Sequence, residues 1–116
     1  MPDFPSPESV VQRQLDAYNA HDVDALLATY AEDVQQFEFP GTLLCSGASQ
    51  LRERMTARLS DPLLHARLIN RIVMGNTVID HEEVTRSFPE GPGKIELVAI
   101  YEVRDGKITA ARFISG

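Results

Sequence analysis

The chain has 116 residues, 43% of them hydrophobic, and a net charge of −6, which suits one domain and excludes two ordinary ones. The acidic balance and the lack of a basic patch argue against binding to nucleic acid or to an anionic membrane, and no apolar run approaches a membrane span. Because the N-terminus lacks the regions of a signal peptide and the single Cys45 excludes an internal disulfide, a cytoplasmic location is expected.

Three helices are predicted in the first half of the chain. Residues 1–7 include three prolines and are expected to form a flexible arm before a single domain over residues 8–116. Ser6 and Pro7 are typical of a helix start, and apolar residues at helical spacing continue to Tyr18. Asp22 can cap a second helix, and residues 46–59 predict a third.

The remaining segments predict strands. Residues 33–39 and 43–45 form a short pair around a Pro40-Gly41 turn, and the segments 65–74, 77–88, 94–104 and 107–114 form four long strands. Residues 75–76 and 105–106 are tight turns, and residues 90–93 are a loop. Helices gathered on one side of a bent antiparallel sheet give an α+β layer architecture.

The stretch IVMGNTVIDHEEV, residues 72–84, places four ionisable side chains directly after an apolar hairpin. With Gly75 and Asn76 as the turn, the predicted cross-strand pairs begin with Met74–Thr77 and include Arg71–Asp80, Asn70–His81, Ile69–Glu82 and Leu68–Glu83. Alternation then separates two faces. One face carries Arg67, Ile69, Arg71, Val73, Val78, Asp80, Glu82 and Val84; the other carries Leu68, Asn70, Ile72, Ile79, His81 and Glu83.

The face of His81 is interpreted as the pocket side. A histidine among isoleucines can transfer protons near neutral pH, and Asn70 can orient it or bind a ligand carbonyl. A core histidine bonded to Asn70, with no chemistry, is the simpler alternative. The face of Asp80 and Glu82 is interpreted as a subunit interface, and a catalytic role for either acid requires a register slip of one residue.

The order of elements, with several phrases, resembles the nuclear transport factor 2-like superfamily and its SnoaL-like and ketosteroid-isomerase-like subgroup. The phrases are VQRQLDAYNAHDVDALLATYAEDV at residues 11–34, SGASQLRERM at 46–55 and AIYEVRDGKITAARFI at 99–114. The resemblance implies a cone-shaped, curved antiparallel sheet of four long strands and a short strand pair, wrapped around three helices. It also implies an apolar pocket for a small molecule and a homodimer through the outer sheet face.

The isomerase chemistry that the resemblance implies is not matched residue by residue. Such enzymes place a carboxylate base before the proline that ends the first strand, but Phe39 precedes Pro40 here. The nearest acid, Glu38, is one residue away and is expected on the opposite face of the strand. The positions of the two oxyanion-hole donors, a tyrosine and an aspartic acid, hold Gln14 and Ala99.

The hypothesis from the sequence is therefore an enzyme of the SnoaL-like group that uses acid–base chemistry on a small apolar carbonyl compound, as an isomerase, cyclase or dehydratase would, without a cofactor. The alternative is a ligand-binding or dimerisation module with no catalysis. No metal site is expected, since the three histidines have no metal-binding spacing. The candidate catalytic residues are His81, Asp80 and Glu82, and the candidate ligand-binding residues are Asn70, Gln14, Tyr18, Phe39, Tyr101 and Arg112.

Overall fold

The computed structural model describes residues 3–116. Each of its three helices begins directly after a residue whose chemistry suits a helix N-terminus. Helix α1 (Pro7–Asn19) follows Ser6, whose hydroxyl accepts a hydrogen bond from the backbone N–H of Ser9. Helix α2 (Val23–Leu27) follows Asp22, whose carboxylate accepts from the N–H of Ala25. Helix α3 (Ala48–Leu59) follows Gly47, whose φ of 88° favours glycine. The three predicted helices are confirmed, with α3 starting two residues later than predicted.

Six strands form one curved, unclosed sheet against these helices. They are β1 (Tyr30–Glu38), β2 (Thr42–Ser46), β3 (His65–Met74), β4 (Thr77–Phe88), β5 (Gly91–Arg104) and β6 (Lys107–Ser115). The strand order is β2-β1-β6-β5-β4-β3, and the β1–β6 pair is parallel while the other pairs are antiparallel. The α+β class with three helices and a curved sheet is confirmed.

The loop predicted at residues 90–93 is shorter than expected. Strand β5 begins at Gly91, and Pro92 lies opposite Ser87 in the ladder with β4. The prediction failed because a proline was taken as a strand breaker. Strand β6 reaches only as far as Leu97 of β5, so Pro92 lies where β5 has a single neighbour and needs no second hydrogen-bonding edge.

The β3–β4 hairpin has the predicted register near its turn and a different register beyond it. The pairs from Met74–Thr77 to Asn70–His81 are as predicted. The predicted Ile69–Glu82 and Leu68–Glu83 pairs are wrong, because Leu68 lies opposite Glu82 and Arg67 opposite Glu83. A bulge at Ile69 adds one residue to β3, and a bulge shifts the register of every pair that follows.

The core lies between the helices and one face of the sheet. From β4, Val78, Asp80, Glu82 and Val84 point inward, with at most 4% of each residue exposed. They meet α1 through Val11 and Leu15 and α3 through Leu51, Met55 and Leu59. The other sheet face has no helix over it and exposes Ile72 and Ile114.

The N-terminal residues before α1 are partly described. Residues 1 and 2 of the predicted arm lie outside the described residues, and Phe4 and Pro5 lie beside Gly106, in the β5–β6 turn. The flexibility of this arm stays a prediction. Within residues 3–116, no helix combines the length and the apolar character needed to cross a bilayer.

Candidate functional site

The helices and the inner sheet face enclose a cavity of about 290 Å³. This volume is near the lower limit of pockets that hold small organic ligands. Its walls come from α1, α3 and all strands except β3, and they combine apolar side chains with a few polar ones. The apolar part of the wall comprises Leu15, Leu44, Met55, Val84, Ile95, Leu97 and Phe113.

Glu82 is the buried acid of this cavity. Its side chain lines the wall and the residue is 4% exposed. Burial is the main cause that raises the pKa of Glu82 to about 7, with the charge of Asp80 adding to the increase and that of Arg71 opposing it. A carboxyl with a pKa near neutrality can both donate and accept a proton at working pH.

A buried ion pair lies beside Glu82 on the same sheet face. Arg71 donates from Nε and Nη2 to the two carboxylate oxygens of Asp80 at 2.6 and 2.9 Å, a bidentate arrangement. Its Nη1 donates to Gln12 Oε1 of α1 at 2.9 Å. Because Asp80 is fully buried, this pairing compensates its lost hydration, and it fixes a negative charge near Glu82.

Two buried tyrosines and a glutamine form the polar part of the cavity near Glu82. The Tyr101 hydroxyl donates to Gln14 Oε1 at 3.4 Å, and the Gln14 side chain also interacts with the Tyr30 hydroxyl. Burial raises the pKa of Tyr30 and of Tyr101 above the ordinary value. Both phenols therefore keep their protons at physiological pH and can act as hydrogen-bond donors.

Three arginines occupy the part of the cavity wall formed by α3 and the far end of β4. Arg54 and Arg58 lie one helical turn apart on α3, and Arg86 lies four residues after Glu82 on β4. Arg54 donates from Nε to Gln36 Oε1 at 3.0 Å. Arg86 stacks over the Phe88 ring at 4.9 Å. The cavity thus has an acidic group in its interior and a basic group along one wall.

The placement of His81 and Asn70 in the pocket is wrong. Asn70 is exposed, and the His81 side chain is 38% exposed and forms a hydrogen bond with Glu96 at 2.7 Å on the outer sheet face. The face predicted as an interface is the one that lines the cavity, so Asp80 and Glu82 point inward without any register slip. From the more charged of the two predicted sets, Arg71, Asp80 and Glu82 lie on the inner face, whereas Arg67, beyond the bulge, is exposed and pairs with Glu83.

Of the other predicted ligand-binding residues, Gln14, Tyr18 and Tyr101 line the cavity. Phe39 and Arg112 do not: Phe39 is half exposed after the end of β1, and Arg112 lies on the outer face, over the Phe37 ring and near Glu102. Phe39 was assigned to the pocket as one of several aromatic residues. An arginine in an apolar run needs either a partner such as Glu102 or a place at a pocket mouth, and the structure shows the pairing with Glu102 at 3.5 Å.

The placement of Glu38, the acid nearest to the position of the isomerase base, also differs from expectation. Glu38 lines the cavity at its exposed edge, although the alternation argument placed it on the opposite face. The argument failed because Phe39 lies beyond the last residue of β1 and so does not set the face of the strand. Ala99 is buried opposite Asp80 and brings no donor.

The contributions of Arg54, Arg58, Arg86 and Gln36 to the cavity were not found from the sequence. On α3 the charged positions were read as a solvated stripe, and only the spacing of Arg54 and Arg58 from the buried Met55 and Leu59 indicates partial burial. Among residues 3–116, no three His, Cys, Asp or Glu side chains are arranged to hold a metal ion.

Comparison with known proteins identifies a family and a fold. The model of the SnoaL-like domain matches residues 11–111. No curated protein matches the sequence significantly. A cystatin-fold protein from Novosphingobium aromaticivorans is 25% identical, with a TM-score of 0.87 over 95% of this chain and 98% of that chain.

Two further solved structures share the architecture at lower identity. An LEH-like epoxide hydrolase from M. tuberculosis is 16% identical, with a TM-score of 0.84 over 99% of this chain and 86% of that one. TerC, co-crystallised with polyporic acid, is 15% identical, with a TM-score of 0.80 over 95% and 91% of the two chains. At these identities the likeness shows the fold alone.

Proposed function

We propose a function from the premise that this chain belongs to the SnoaL-like domain family, whose model matches residues 11–111. The cavity binds a small, largely apolar carbonyl compound, and Glu82 transfers a proton on it without a cofactor. The observation that carries the proposal is the burial of Glu82 in the cavity wall next to the Arg71–Asp80 pair, which raises its pKa to about 7.

The chemistry follows from the protonation of this carboxyl. Its ionised form accepts a proton from the carbon next to a substrate carbonyl and leaves an enolate. Its protonated form then returns the proton to the same or a different carbon, which gives exchange or isomerisation. A group with a pKa near 7 populates both forms at neutral pH, so one residue can perform both steps.

The enolate oxygen needs hydrogen-bond donors, and the cavity offers them near Glu82. The phenols of Tyr30 and Tyr101 stay protonated because burial raises the pKa of each. Tyr101 donates its one proton to Gln14 Oε1 at 3.4 Å, so this hydroxyl must rotate away from Gln14 to reach an enolate oxygen. The amide group of Gln14 lies between them, at the position where isomerases of this fold carry a tyrosine. Donors in a cavity shielded from water stabilise developing negative charge more strongly than water-exposed donors do.

Two structural relatives support small-molecule chemistry in this architecture. One is an epoxide hydrolase by its name, and the other was co-crystallised with polyporic acid. Neither assigns a substrate to this chain, because the identities are 16% and 15%.

The proposal is tested by carbon-bound hydrogen exchange on 2-tetralone, a small apolar ketone, followed by NMR in D₂O. We expect the wild-type protein to accelerate exchange at the carbon next to the carbonyl, and Glu82→Gln to lose at least about a hundredfold of this acceleration. His81→Ala is the control, since His81 lies on the outer sheet face and its loss should leave exchange unchanged. Equal exchange by wild type and Glu82→Gln would refute the role of Glu82.

Ala99 supports a second candidate function. Because Ala99 supplies no donor where an isomerase has an acid, the cavity also suits a binding module without catalysis. In that case an apolar ketone raises the melting temperature of the protein, while exchange stays at the rate in buffer.

We also infer a homodimer through the outer sheet face. The inference is supported by isoleucines that lie on neighbouring strands without a helix over them. Ile72 pairs with Ile79, and Ile79 pairs with Ile100; Ile72 is 51% exposed. An apolar surface of this kind is typical of a site that another chain covers. The oligomeric state in solution tests the inference.

A cytoplasmic location is a further proposal. The single cysteine, Cys45, is buried with a free thiol, and the pKa of this thiol is raised chiefly by burial. Such a thiol suits a reducing compartment. Fractionation of cells that produce the protein is the test.

A further inference from the structure

The wall formed by α3 and the end of β4 carries three arginines, and Asp61 lies near enough to Arg86 for the charge of Arg86 to lower the Asp61 pKa. Arg54, Arg58 and Arg86 are all half-buried and all line the cavity. Within the described residues 3–116, none of these three guanidinium groups lies within 4 Å of a carboxylate, although five other arginine and lysine side chains do. The three arginines are called the basic wall below.

The positive charges of the basic wall repel one another. Arg54 and Arg58 lie at positions i and i+4 of α3, where like charges repel. Burial lowers the pKa of Arg54, and the charge of Arg58 lowers it further. Tyr18 lines the same cavity; burial raises its pKa, and the charges of Arg58 and Arg86 act against this increase. The three charges therefore converge on one region of the cavity, where an anion would relieve their repulsion.

We propose that the natural ligand is an organic carboxylate with an apolar body, bound with its carboxylate against the basic wall and its body against the apolar wall of the cavity. This proposal names the substrate class of the cavity and so rests on its proposed function as a small-molecule site. The guanidinium fork matches a carboxylate in a bidentate arrangement, which a neutral ligand cannot reproduce.

The position of the basic wall also orients the ligand. Glu82 and Arg86 both point inward from β4, and four residues of strand separate their backbones by about 13 Å. Val84 and its cross-strand partner Ile95 lie between them and contribute to the apolar wall. A carboxylate at the basic wall therefore places the other end of the ligand near Glu82, where the proposed proton transfer takes place.

The acidic side chains of the cavity do not cancel the preference of the basic wall for a carboxylate. Glu38 lies at the exposed edge, where water screens its charge. The pKa of Glu82 is raised to about 7, so Glu82 is mostly uncharged below this pH. Above it, Glu82 adds a negative charge to the cavity, and we expect carboxylate binding to weaken as the pH rises from 6 to 8.

The test compares two acids with their neutral amides, 2-naphthoate with 2-naphthamide and decanoate with decanamide, by isothermal titration calorimetry at pH 6. We expect wild type to bind at least one acid about tenfold more tightly than its amide. The variants Arg54→Gln, Arg58→Gln and Arg86→Gln should each reduce this ratio several-fold, and the triple variant should bring it close to one. Melting curves verify that each variant is folded.

Arg52→Gln is the matched control. Arg52 lies on the same helix but pairs with Asp24 at 2.9 Å on the protein surface, so its loss should leave the ratio unchanged. The proposal is overturned if neither acid is preferred over its amide, including the case in which nothing binds. It is also overturned if the preference survives in the triple variant.

The outcome is separable from the test of catalysis. Tight binding of the amides without an acid preference would leave the small-molecule function standing and remove the basic wall from it. An acid preference in a protein that does not exchange 2-tetralone hydrogens would support the carboxylate ligand and count against the role of Glu82. If Glu82→Gln keeps the wild-type ratio of acid affinity to amide affinity, carboxylate binding and proton transfer use different residues.

Discussion

At the residue scale, the raised pKa of Glu82 links the candidate site to folding stability. The folded protein holds the Glu82 proton up to about pH 7, whereas the unfolded chain releases it near the ordinary value of 4.5. Between these values the folded state binds more protons, so the free energy of unfolding falls as the pH rises. The contribution of the Glu82 proton to the free energy of unfolding is fully present below about pH 4.5 and is lost above about pH 7.

The first prediction follows from this proton linkage. Relative to Glu82→Gln, which cannot ionise, wild type should lose roughly 3 kcal/mol of unfolding free energy between pH 4.5 and 8, from about 1.4 kcal/mol per unit of pKa difference. Urea unfolding of both proteins at four pH values measures the difference. Parallel pH profiles for the two proteins would show that the pKa of Glu82 is ordinary.

A second prediction concerns the buried pair beside Glu82. Arg71→Met leaves the fully buried Asp80 without its bidentate partner and should lower the free energy of unfolding by about 3–5 kcal/mol. Arg67→Gln on the same strand is the control, since Arg67 is exposed and pairs with Glu83 at 3.5 Å. This control should stay within about 1 kcal/mol of wild type.

The double variant Arg71→Met with Asp80→Leu separates pairing from burial. It should be more stable than Arg71→Met alone, because no buried charge is left unpaired. Guanidinium unfolding curves give all three values. If the double variant is the less stable one, Asp80 is stabilised by something other than Arg71.

The sequence identified part of this site but not its orientation. Arg71–Asp80, Gln14, Tyr18 and Tyr101 were all identified, the first as a cross-strand pair and the others as candidate ligand contacts. What the sequence could not supply was Gln12 of α1, which lies 59 residues from Arg71 and hydrogen-bonds to it. Without that contact, Asp80 and Glu82 are expected to face solvent, and His81, which is flanked by isoleucines in the pattern, is expected to be buried.

At the element scale, features that depend on residues close in sequence were predictable, and a feature that depends on distant contacts was not. The Gly75 turn fixed the hairpin register because its φ of 58° suits glycine and because a two-residue turn leaves one pairing. The bulge at Ile69 was not predictable, since it depends on where β3 meets the rest of the fold and carries no glycine signal. The caps Ser6 and Asp22 were predictable because they act within one turn of helix.

The edge strand β3 supplies the third prediction. Asn19, at the end of α1, donates to the carbonyl of Ala66 at 2.9 Å and accepts from its N–H at 2.8 Å. This amide takes the place of a neighbouring strand at the free edge of β3. Asn19→Ala should therefore lower the free energy of unfolding by about 2 kcal/mol, because the buried N–H of Ala66 loses its partner.

Hydrogen exchange at one amide checks the mechanism of that loss. The Ala66 amide should exchange faster in Asn19→Ala than in wild type, while amides of the central strand β5 keep their relative protection. Asn70→Ala is the control on the same strand, since Asn70 is exposed and its loss should change stability by less than about 0.5 kcal/mol. Unchanged exchange at Ala66 would mean that water replaces the Asn19 amide at no cost.

At the scale of the whole molecule, the sheet is covered on one side only. The helices cover the inner face, and the outer face carries Ile79 and Ile100 on adjacent central strands, with Ile72 and Ile114 exposed to either side. Isoleucines that no helix covers are the reason why the sequence pattern assigned the outer face to the core. Apolar residues on both sides of a sheet predict two covered faces, and within residues 3–116 the helices cover only the inner one.

The last prediction is that two copies associate through this outer face. Light scattering after size exclusion at micromolar concentration should give the mass of a dimer for wild type. Ile100→Glu should give a monomer, because a pair of chains related by twofold symmetry buries each new carboxylate against an apolar surface. Leu63→Glu is the matched control, since Leu63 is 42% exposed in the turn between α3 and β3, away from the outer face.

The distribution of charge on the outer face makes the expected dimer specific. The His81–Glu96 hydrogen bond and the Arg112–Glu102 ion pair lie on this face next to the isoleucines, so they would form a polar rim around an apolar centre. A dimer held by the apolar centre should persist at 1 M salt, whereas one held by the rim should dissociate. A wild-type monomer, or a dimer unaffected by Ile100→Glu, would leave the outer isoleucines without a partner of the same chain.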